Sequence, residues 1–389
     1  MTNKILIIGS GIAALSAAEA ARKQDAEAEI TLITQESQLP YYRLRVGEVL
    51  ANPQNEEKLY IHDKAWYEER NIKFIFGCKV KNIDCSKHEL ICSNEEKYQF
   101  DKCIIASGSK SRVIPQIKGF DRENVYSLWT MDDAKKFSAD IASKNLKHCA
   151  IIGGGVLGME AAWYLHKRGL KVSMIERQNH MMENQLNAEA SSLLENHIKS
   201  LGIDIYCAAD SKEILGEGSD GPVNGLLLAD GQIIDCDAVL FSVGVIANTE
   251  LAEGEVEIGR RIKVDNKMQS SAQDIYAAGD VCEVGEDGFW FGVWAMAMEQ
   301  GKIAGSNAAG GSEEFSMHVP PYMVNSLGTR IVSQGDLGRS NPEDYRFEDT
   351  KDEAKHSYKR LVYKDDNLVG FILLGDAAKD MLKLQKELA

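Results

Sequence analysis

The pattern of apolar and polar residues opens with a short apolar run that leads directly into glycines. Residues 4–8 are almost entirely apolar, residues 14–21 are rich in alanine, and residues 29–34 alternate before they become apolar. Short apolar or alternating runs indicate strands, and small residues after a glycine turn favour a helix packed closely on a sheet. The pattern therefore predicts a strand, a helix and a second strand over residues 4–34.

The same pattern occurs a second time in the middle of the chain. Residues 150–152 are apolar, three glycines follow, and a helix is predicted up to about Arg168 before a strand over residues 170–176. Two complete units of this kind predict an α/β protein with two Rossmann-like domains.

Further strands and helices are predicted between and after these units. In chain order they are a helix around 64–70, a strand over 72–76, short strands around 80 and 90, a buried strand over 102–106, a helix over 188–200, a strand over 203–206, a hairpin within 216–231, a strand over 237–244, a strand ending at 279 and a helix over 295–307. From Pro320 onward, strands joined by charged turns precede a final helix near Ala377. This change of composition predicts a separate, small C-terminal α+β domain without a catalytic motif.

Each glycine-rich turn is typical of a phosphate-binding site. In the first turn, Gly9 permits a tight bend, Gly11 lets the backbone approach a pyrophosphate, and Ala14 keeps the helix close to the strand. The unpaired N–H groups and the dipole at a helix N-terminus favour anions. The alternative is a tight turn in a bare α/β domain. The candidate binding residues of this turn are Gly9, Ser10, Gly11, Ile12, Ala13 and Ala14.

An acidic residue follows the second turn at the distance expected for a dinucleotide site. Glu176 ends the strand after the helix, where a carboxylate would accept hydrogen bonds from the adenosine ribose hydroxyls and repel a 2′-phosphate. The sequence thus predicts NADH rather than NADPH, although the neighbouring cation Arg177 would favour NADPH. The candidate binding residues here are Gly153, Gly155, Val156, Leu157, Gly158 and Glu176.

The first unit lacks this acidic residue. Thr34 occupies its place and Glu36 follows two positions later, so both side chains are candidates for the ribose contact. The next loop contains Arg43 and Arg45. It is either a solvated turn or a source of guanidinium groups that balance phosphate or reduced-cofactor charge.

Small residues also follow later buried strands, at the edge where parallel sheets bind ligands. Asp280 is suited to accept a hydrogen bond from a cofactor hydroxyl, or it forms a helix cap or turn. Trp294 opens a helix whose dipole would stabilise negative charge on a reduced cofactor, or its ring fills the core. The further candidate binding residues of these segments are Val80, Ala106, Ser107, Gly108, Gly244, Gly279, Asp280, Val293 and Trp294.

Composition narrows the class of function. The chain has 389 residues and a formal net charge of −15, which argues against a nucleic-acid or anionic-membrane partner. No apolar stretch approaches the roughly 18 residues that cross a bilayer, and the amino terminus leads straight into a strand without a signal peptide. These features predict a cytoplasmic protein.

The cysteines suggest neither metal binding nor cross-linking. The chain has eight cysteines with no C-x-x-C and no metal-ligand spacing, so no metal site is predicted. We expect reduced and mostly buried thiols, and we expect the even spacing of Cys78, Cys85 and Cys92 to be chance.

The two glycine turns, Ala106–Gly108, Glu176 and Gly279–Asp280, in this order, resemble the two-dinucleotide flavoprotein family. That family includes the pyridine nucleotide–disulfide reductases, the rubredoxin and ferredoxin reductases and the NADH oxidases. The resemblance implies FAD at the first turn with Asp280 on its ribityl chain, and NADH at the second turn. It also implies a discontinuous FAD domain over 1–112 and 238–314, an NADH domain over 113–237 and a C-terminal domain over 315–389.

The chain departs from the disulfide-reductase pattern because no cysteine precedes Cys78. The redox cysteine pair of the disulfide reductases and the single cysteine of the coenzyme A-linked oxidases are therefore both missing. The remaining resemblance, to the rubredoxin reductase branch, implies that electrons leave through the flavin to a small iron–sulfur protein such as rubredoxin. In that branch a lysine pairs with the glutamate matching Glu160, and Arg45 is the candidate for that cation here. Glu160 and Arg45 are thus the catalytic candidates.

Three functions remain open at this point. The first is NADH-dependent reduction of rubredoxin, or of a ferredoxin or nitrite reductase partner. The second is an NADH oxidase that reduces dioxygen and needs no protein partner. The third is a nucleotide-sensing protein with a vestigial flavin. The oligomeric state is open.

Overall fold

The structure of the protein is a computed structural model that describes residues 2–218 and 220–388. The chain forms two compact units. The first contains Met1–Arg45, Glu56–Lys110 and Val245–His318, and the second contains Val46–Asn55, Ser111–Gly244 and Val319–Ala389.

Helices and strands alternate over residues 4–33 and 131–206, and runs of consecutive strands occupy much of the rest. The strands are β1 Lys4–Ile8, β2 Glu29–Ile33, β3 Ile72–Ile75, β4 Val80–Asp84, β5 Glu89–Cys92, β6 Lys97–Gln99, β7 Lys102–Ile105, β8 Ser109–Ser111, β9 Val125–Ser127, β10 His148–Ile152, β11 Lys171–Ile175, β12 Asp204–Tyr206, β13 Ser211–Gly216, β14 Val223–Leu228, β15 Ile233–Ile234, β16 Ala238–Phe241, β17 Val245–Ala247, β18 Ile262–Val264, β19 Ile275–Ala277, β20 Cys282–Val284, β21 Tyr322–Ser326, β22 Thr329–Gly335, β23 Arg346–Asp352, β24 Ser357–Lys364 and β25 Asn367–Leu374. The helices are α1 Ile12–Gln24, α2 Gly47–Ala51, α3 Lys64–Glu69, α4 Met131–Ser143, α5 Val156–Lys167, α6 Ala188–Ser200, α7 Trp294–Ala308 and α8 Met381–Glu387.

A parallel sheet in the order β19-β7-β1-β2-β3 forms the centre of the first unit. The central strand β1 is buried along Ile5–Ile8, as expected for a parallel strand covered on both faces. The helices α1 and α7 pack very closely, because a Cβ atom on Gly301 or Gly305 would overlap the main chain of Ala13 or Ala17. The small residues that predicted these two helices are therefore required by their packing.

The second unit repeats this parallel sheet and adds an antiparallel one. The parallel sheet has the order β12-β11-β10-β16-β9, so that β10 has the central place that β1 has in the first unit. The antiparallel sheet has the order β21-β22-β25-β24-β23 and shares an apolar core with α8 that includes Val332, Phe371 and Leu384. The α/β class with two Rossmann-like sheets and a small C-terminal α+β region is confirmed.

The structure corrects two sequence-based expectations. Cys78 and Cys92 form a disulfide, with their Cα atoms 6.1 Å apart, so reduced thiols were the wrong expectation for this pair. The antiparallel pairing of β4 with β5 brings the two cysteines together, and the hydrogen bond from the Ser93 N–H to the Lys79 carbonyl extends that pairing. The last helix begins at Met381 rather than near Ala377, because a 3-10 turn occupies Gly375–Asp380.

Candidate functional site

The first glycine turn joins β1 to α1 at the edge of the first unit's sheet. Gly9 has a φ of 118° and donates a 2.8 Å hydrogen bond to the Ile33 carbonyl. A Cβ atom at this position would overlap the Ala106 carbonyl, so the turn requires glycine. A Cβ atom on Gly11 would meet no described atom within 4 Å, and no side chain of the described residues caps the N-terminus of α1. Open space therefore borders the uncapped start of α1, and this fits a pyrophosphate bound by backbone N–H groups.

The second glycine turn, between β10 and α5, repeats this geometry. Gly153 has a φ of 117° and donates a 2.8 Å hydrogen bond to the Ile175 carbonyl, and a Cβ atom there would overlap Ser242. Gly155 again borders open space. Gly158 differs from its counterpart Ala14, because a Cβ atom on it would overlap the Gly153 carbonyl. Val156 and Leu157 form the first turn of α5.

The two units differ in the residue that follows the strand after the helix, which is Thr34 after β2 and Glu176 after β11. In the second unit, the Glu176 carboxylate accepts hydrogen bonds from the N–H groups of Gly154 at 2.7 Å and Gln178 at 2.8 Å. In the first unit, the corresponding side chains are Ser10 and Thr34, whose buried hydroxyls lie 2.9 Å apart. A neutral hydroxyl pair thus replaces a carboxylate held by backbone N–H groups.

Glu36 is the carboxylate two positions after Thr34. It accepts a 2.6 Å hydrogen bond from the Tyr41 hydroxyl and forms a 2.5 Å ion pair with Arg43. The Arg43 guanidinium also lies over the Tyr41 ring, 5.0 Å from its centroid. Arg43 is therefore fixed in place, unlike a side chain in a solvated turn, while Arg45 ends the 3-10 turn Arg43–Arg45 and is partly exposed.

The strand ends of the first unit bring several more predicted residues to one edge. The Ala106 N–H donates to the Ile8 carbonyl, and a Cβ atom on Gly279 would lie 3.0 Å from that of Ala13. Ser107 exchanges hydrogen bonds of 2.9 Å with Asn248. Gly108, with a φ of 64°, accepts from the Asn248 N–H. The edge of the sheet therefore gathers the first turn, Ala106–Gly108 and Gly279.

Asp280 and the start of α7 lie beside this edge. Asp280 accepts a 2.8 Å hydrogen bond from the Ser109 hydroxyl, a residue that the sequence analysis did not select although it directly follows Gly108. Val293 occupies the N-cap position of α7 without forming a side-chain cap. Trp294 is half-buried and stacks on the exposed Tyr42, with ring centroids 5.7 Å apart. It is therefore not a core residue.

Val80 and Gly244 lie in different units. Val80 is buried, and the nearby Cys78 N–H donates to the Thr34 carbonyl at 2.9 Å, so β4 starts beside the Thr34 segment. Gly244 has a φ of 91° and follows β16, whose neighbour Ser242 donates to the Ile152 carbonyl at 2.8 Å. Val80 thus lies near the first unit's candidate residues, and Gly244 lies near the second glycine turn.

Glu160 is a partly buried carboxyl group on α5 in the second unit. Burial raises the pKa of Glu160 to about 7. Burial, followed by the charge of Glu160, raises the pKa of Tyr322 to about 12, which places this tyrosine of β21 near the carboxylate. No sequence signal singled out Tyr322. The other catalytic candidate, Arg45, belongs to the first unit, and its pairing with Glu160 stays a prediction.

Neither a metal cluster nor a membrane-spanning helix is found where the structure describes the chain. Residues 2–218 and 220–388 contain no group of three His, Cys, Asp or Glu side chains that could hold a metal ion. Over the same residues, no helix is long and apolar enough to cross a bilayer.

Two Rossmann-like sheets, each with a glycine turn open to a pyrophosphate, define a protein of the two-dinucleotide class. Residues 3–301 match the family of pyridine nucleotide-disulphide oxidoreductases, and residues 320–388 match the rubredoxin NAD+ reductase C-terminal domain. The chain belongs to the pyridine nucleotide-disulphide oxidoreductase family. The predicted family resemblance and the prediction of an oxidoreductase are confirmed.

Individual relatives support the same assignment. The chain is 32% identical to an NADH-rubredoxin oxidoreductase from Clostridium acetobutylicum, over 97% of this chain and 92% of the relative. A crystal structure of NADH:rubredoxin oxidoreductase from that organism superimposes with a TM-score of 0.82 at 31% identity, covering 100% of this chain and 95% of that one. A nitrite reductase from Bacillus subtilis is 31% identical over 97% of this chain, but the chain spans only 46% of that relative.

Proposed function

We propose that the protein is an FAD-dependent NADH oxidoreductase that passes electrons to a small iron–sulfur protein, with rubredoxin as the acceptor. The observation that carries the proposal is the pair of open glycine turns together with the match to the rubredoxin NAD+ reductase C-terminal domain. FAD, when bound, supplies the chemistry, because it accepts two electrons from NADH and can release them singly.

Backbone and side-chain groups of the first unit would bind FAD. The N–H groups around Gly11 would bind the pyrophosphate, Glu36 or Thr34 the ribose, and Asp280 a ribityl hydroxyl. The uncapped start of α7 would place the positive end of its dipole toward the flavin. We propose a discontinuous FAD domain, an NADH domain between its two parts and a C-terminal domain over 315–389. The boundary expected at 238 moves to 245, because β16 Ala238–Phe241 pairs with β10 in the sheet of the second unit.

Backbone and side-chain groups of the second unit would bind and select NADH. The N–H groups around Gly155 would bind its pyrophosphate, and Glu176 would accept from the ribose hydroxyls and repel a 2′-phosphate. Glu160 would hold or release a proton near neutral pH beside the nicotinamide, with Arg45 as its cation. Because no cysteine precedes Cys78, electrons would leave without a thiol relay. We place the enzyme in the cytoplasm, where NADH is available.

A second candidate is an NADH oxidase. An NADH oxidase from Methanocaldococcus jannaschii is 30% identical over 86% of this chain and 74% of the relative. An oxidase transfers electrons to dioxygen and needs no protein partner.

Steady-state NADH oxidation with several acceptors tests the proposal. The FAD-loaded protein is offered rubredoxin, ferredoxin, a nitrite reductase partner and dioxygen in separate assays. We expect the fastest turnover with rubredoxin and only slow oxygen uptake. Fast oxygen uptake without a protein partner would select the oxidase, and purification without bound flavin would select the sensor.

A further inference from the structure

A buried arginine lies next to Asp280, and none of the predicted roles explains it. Arg261, just before β18, is only 8% exposed. Its Nη1 donates a 3.0 Å hydrogen bond to the main-chain carbonyl of Asp280. Its guanidinium carbon lies 3.6 Å from the centroid of the Trp290 ring, which is a close cation–π contact. Burying a charged side chain is unfavourable unless it has partners, and these two partners are specific.

Arg261 stays charged despite its burial. Burial lowers the pKa of the Arg261 guanidinium, and the carboxylates of Asp280 and Glu283 act in the opposite direction. Glu283 is itself buried and accepts a 3.1 Å hydrogen bond from the N–H of Arg260. Because a guanidinium is not deprotonated in proteins, Arg261 places a fixed positive charge beside Asp280.

The second partner of Arg261 belongs to the loop that leads into α7. A Cβ atom on Gly292 would lie 2.5 Å from the Trp290 ring, so the loop folds back on the indole before the helix starts at Trp294. Arg261 thus contacts both Asp280 and the loop before α7. The proposed function assigns Asp280 to the ribityl chain of the flavin, and it points the start of α7, which this loop precedes, toward the flavin.

We propose that Arg261 is a positioning residue for the flavin: it fixes Asp280 and the start of α7 relative to each other, and its charge favours the reduced flavin over the oxidised one. This inference rests on the FAD site of the proposed function. A reduced flavin carries more negative charge than an oxidised flavin. A fixed cation in a site of low dielectric therefore stabilises the reduced form selectively.

The test measures the FAD dissociation constant and the flavin midpoint potential of FAD-loaded protein. R261Q should weaken the binding of reduced FAD about tenfold more than that of oxidised FAD, which lowers the potential by about 30 mV for a two-electron couple. R261K keeps the charge but cannot stack flat on the indole. It should weaken FAD binding while its potential stays closer to the parent than that of R261Q. The control R260Q removes an exposed charge one residue away and should change neither quantity.

A purely structural role predicts equal weakening of oxidised and reduced FAD in R261Q, and an unchanged potential would overturn the inference. If R261Q does not fold, W290L and R261K carry the test. Both variants keep the cation, so they should bind FAD more weakly than the parent while the flavin midpoint potential stays similar to that of the parent. FAD binding as tight as in the parent in both variants would overturn the inference. Failure of the proposed function is recognised separately, because it appears in the parent as a lack of FAD binding or of reduction by NADH.

Discussion

The Glu176 carboxylate accepts a 2.7 Å hydrogen bond from the backbone N–H of Gly154, inside the second glycine turn. A Cβ atom on Gly154 would lie 2.9 Å from that carboxylate, so the absence of a side chain allows this contact. The first turn has Ser10 and Thr34 at these two positions, joined through their hydroxyls. The two turns therefore share a backbone but differ in charge, which is the basis for expecting different ligands.

Replacing Glu176 should change the preference between NADH and NADPH. E176A removes an acceptor of charge-assisted hydrogen bonds, each worth about 1.5–3 kcal/mol, so kcat/KM for NADH should fall roughly tenfold to a hundredfold. The value of kcat/KM for NADPH should fall only a little, because E176A also removes the repulsion of the 2′-phosphate. The control D204N alters a carboxylate on the neighbouring strand β12 and should leave both values unchanged. An unaltered ratio of NADH to NADPH activity in E176A would refute the role of this residue.

Alanine at Gly11 or Gly155 should block a ligand without unfolding the protein. Neither added methyl group meets a described atom within 4 Å, so thermal unfolding of the apoprotein should stay unchanged. We expect G11A to lose FAD affinity, and G155A to keep FAD and lose NADH affinity. Flavin fluorescence and NADH titration measure the two affinities. The comparison variant G9A should instead destabilise the fold, because its methyl group would overlap the Ala106 carbonyl. Normal FAD binding by G11A would contradict the site.

The Cys78–Cys92 disulfide should stabilise the first unit. The two cysteines are 14 residues apart, and closing a loop of about 15 residues is worth about 3 kcal/mol in the chain-entropy account. C92S should lower the free energy of unfolding in urea by about this amount, while C85S, at a free and partly buried cysteine, should have a smaller effect. Thiol titration of the denatured, unreduced protein should find six free thiols. Eight free thiols would show that the bond does not form.

Glu160 should make stability depend on pH. Burial raises its pKa in the folded protein from the ordinary 4.5 to about 7, so between these pH values the folded state binds more protons than the unfolded state. The free energy of unfolding should therefore fall as the pH rises through this window, by roughly 3 kcal/mol at 1.36 kcal/mol per pKa unit. E160Q should remove this loss and unfold at a higher temperature than the parent at pH 8 but not at pH 4. The control E217Q, at an exposed site, should show the same pH dependence of unfolding as the parent. If E160Q also shows the parent's pH dependence, Glu160 is charged throughout this pH range and the prediction is wrong.

The sequence predicts the glycine turns well because their signals are local. Gly9, Gly11 and the small residues of α1 lie next to each other in the chain, and their spacing is set by one strand–turn–helix connection. The Cys78–Cys92 bond is not predictable in this way, because it depends on the register of β4 against β5, which contains a bulge. The contact of Arg261 with Trp290 is equally non-local, since the pairing of β18 with β20 brings together the loop before β18 and the loop after β20.

The most direct test of the account is an anaerobic titration of the FAD-loaded protein with NADH, followed by the flavin absorbance. The central claim is that electrons pass from NADH to the flavin and leave it without a thiol relay. It predicts complete bleaching of the flavin by one equivalent of NADH per FAD, with the Cys78–Cys92 disulfide left intact. Consumption of two equivalents per FAD, with two new thiols, would contradict the claim.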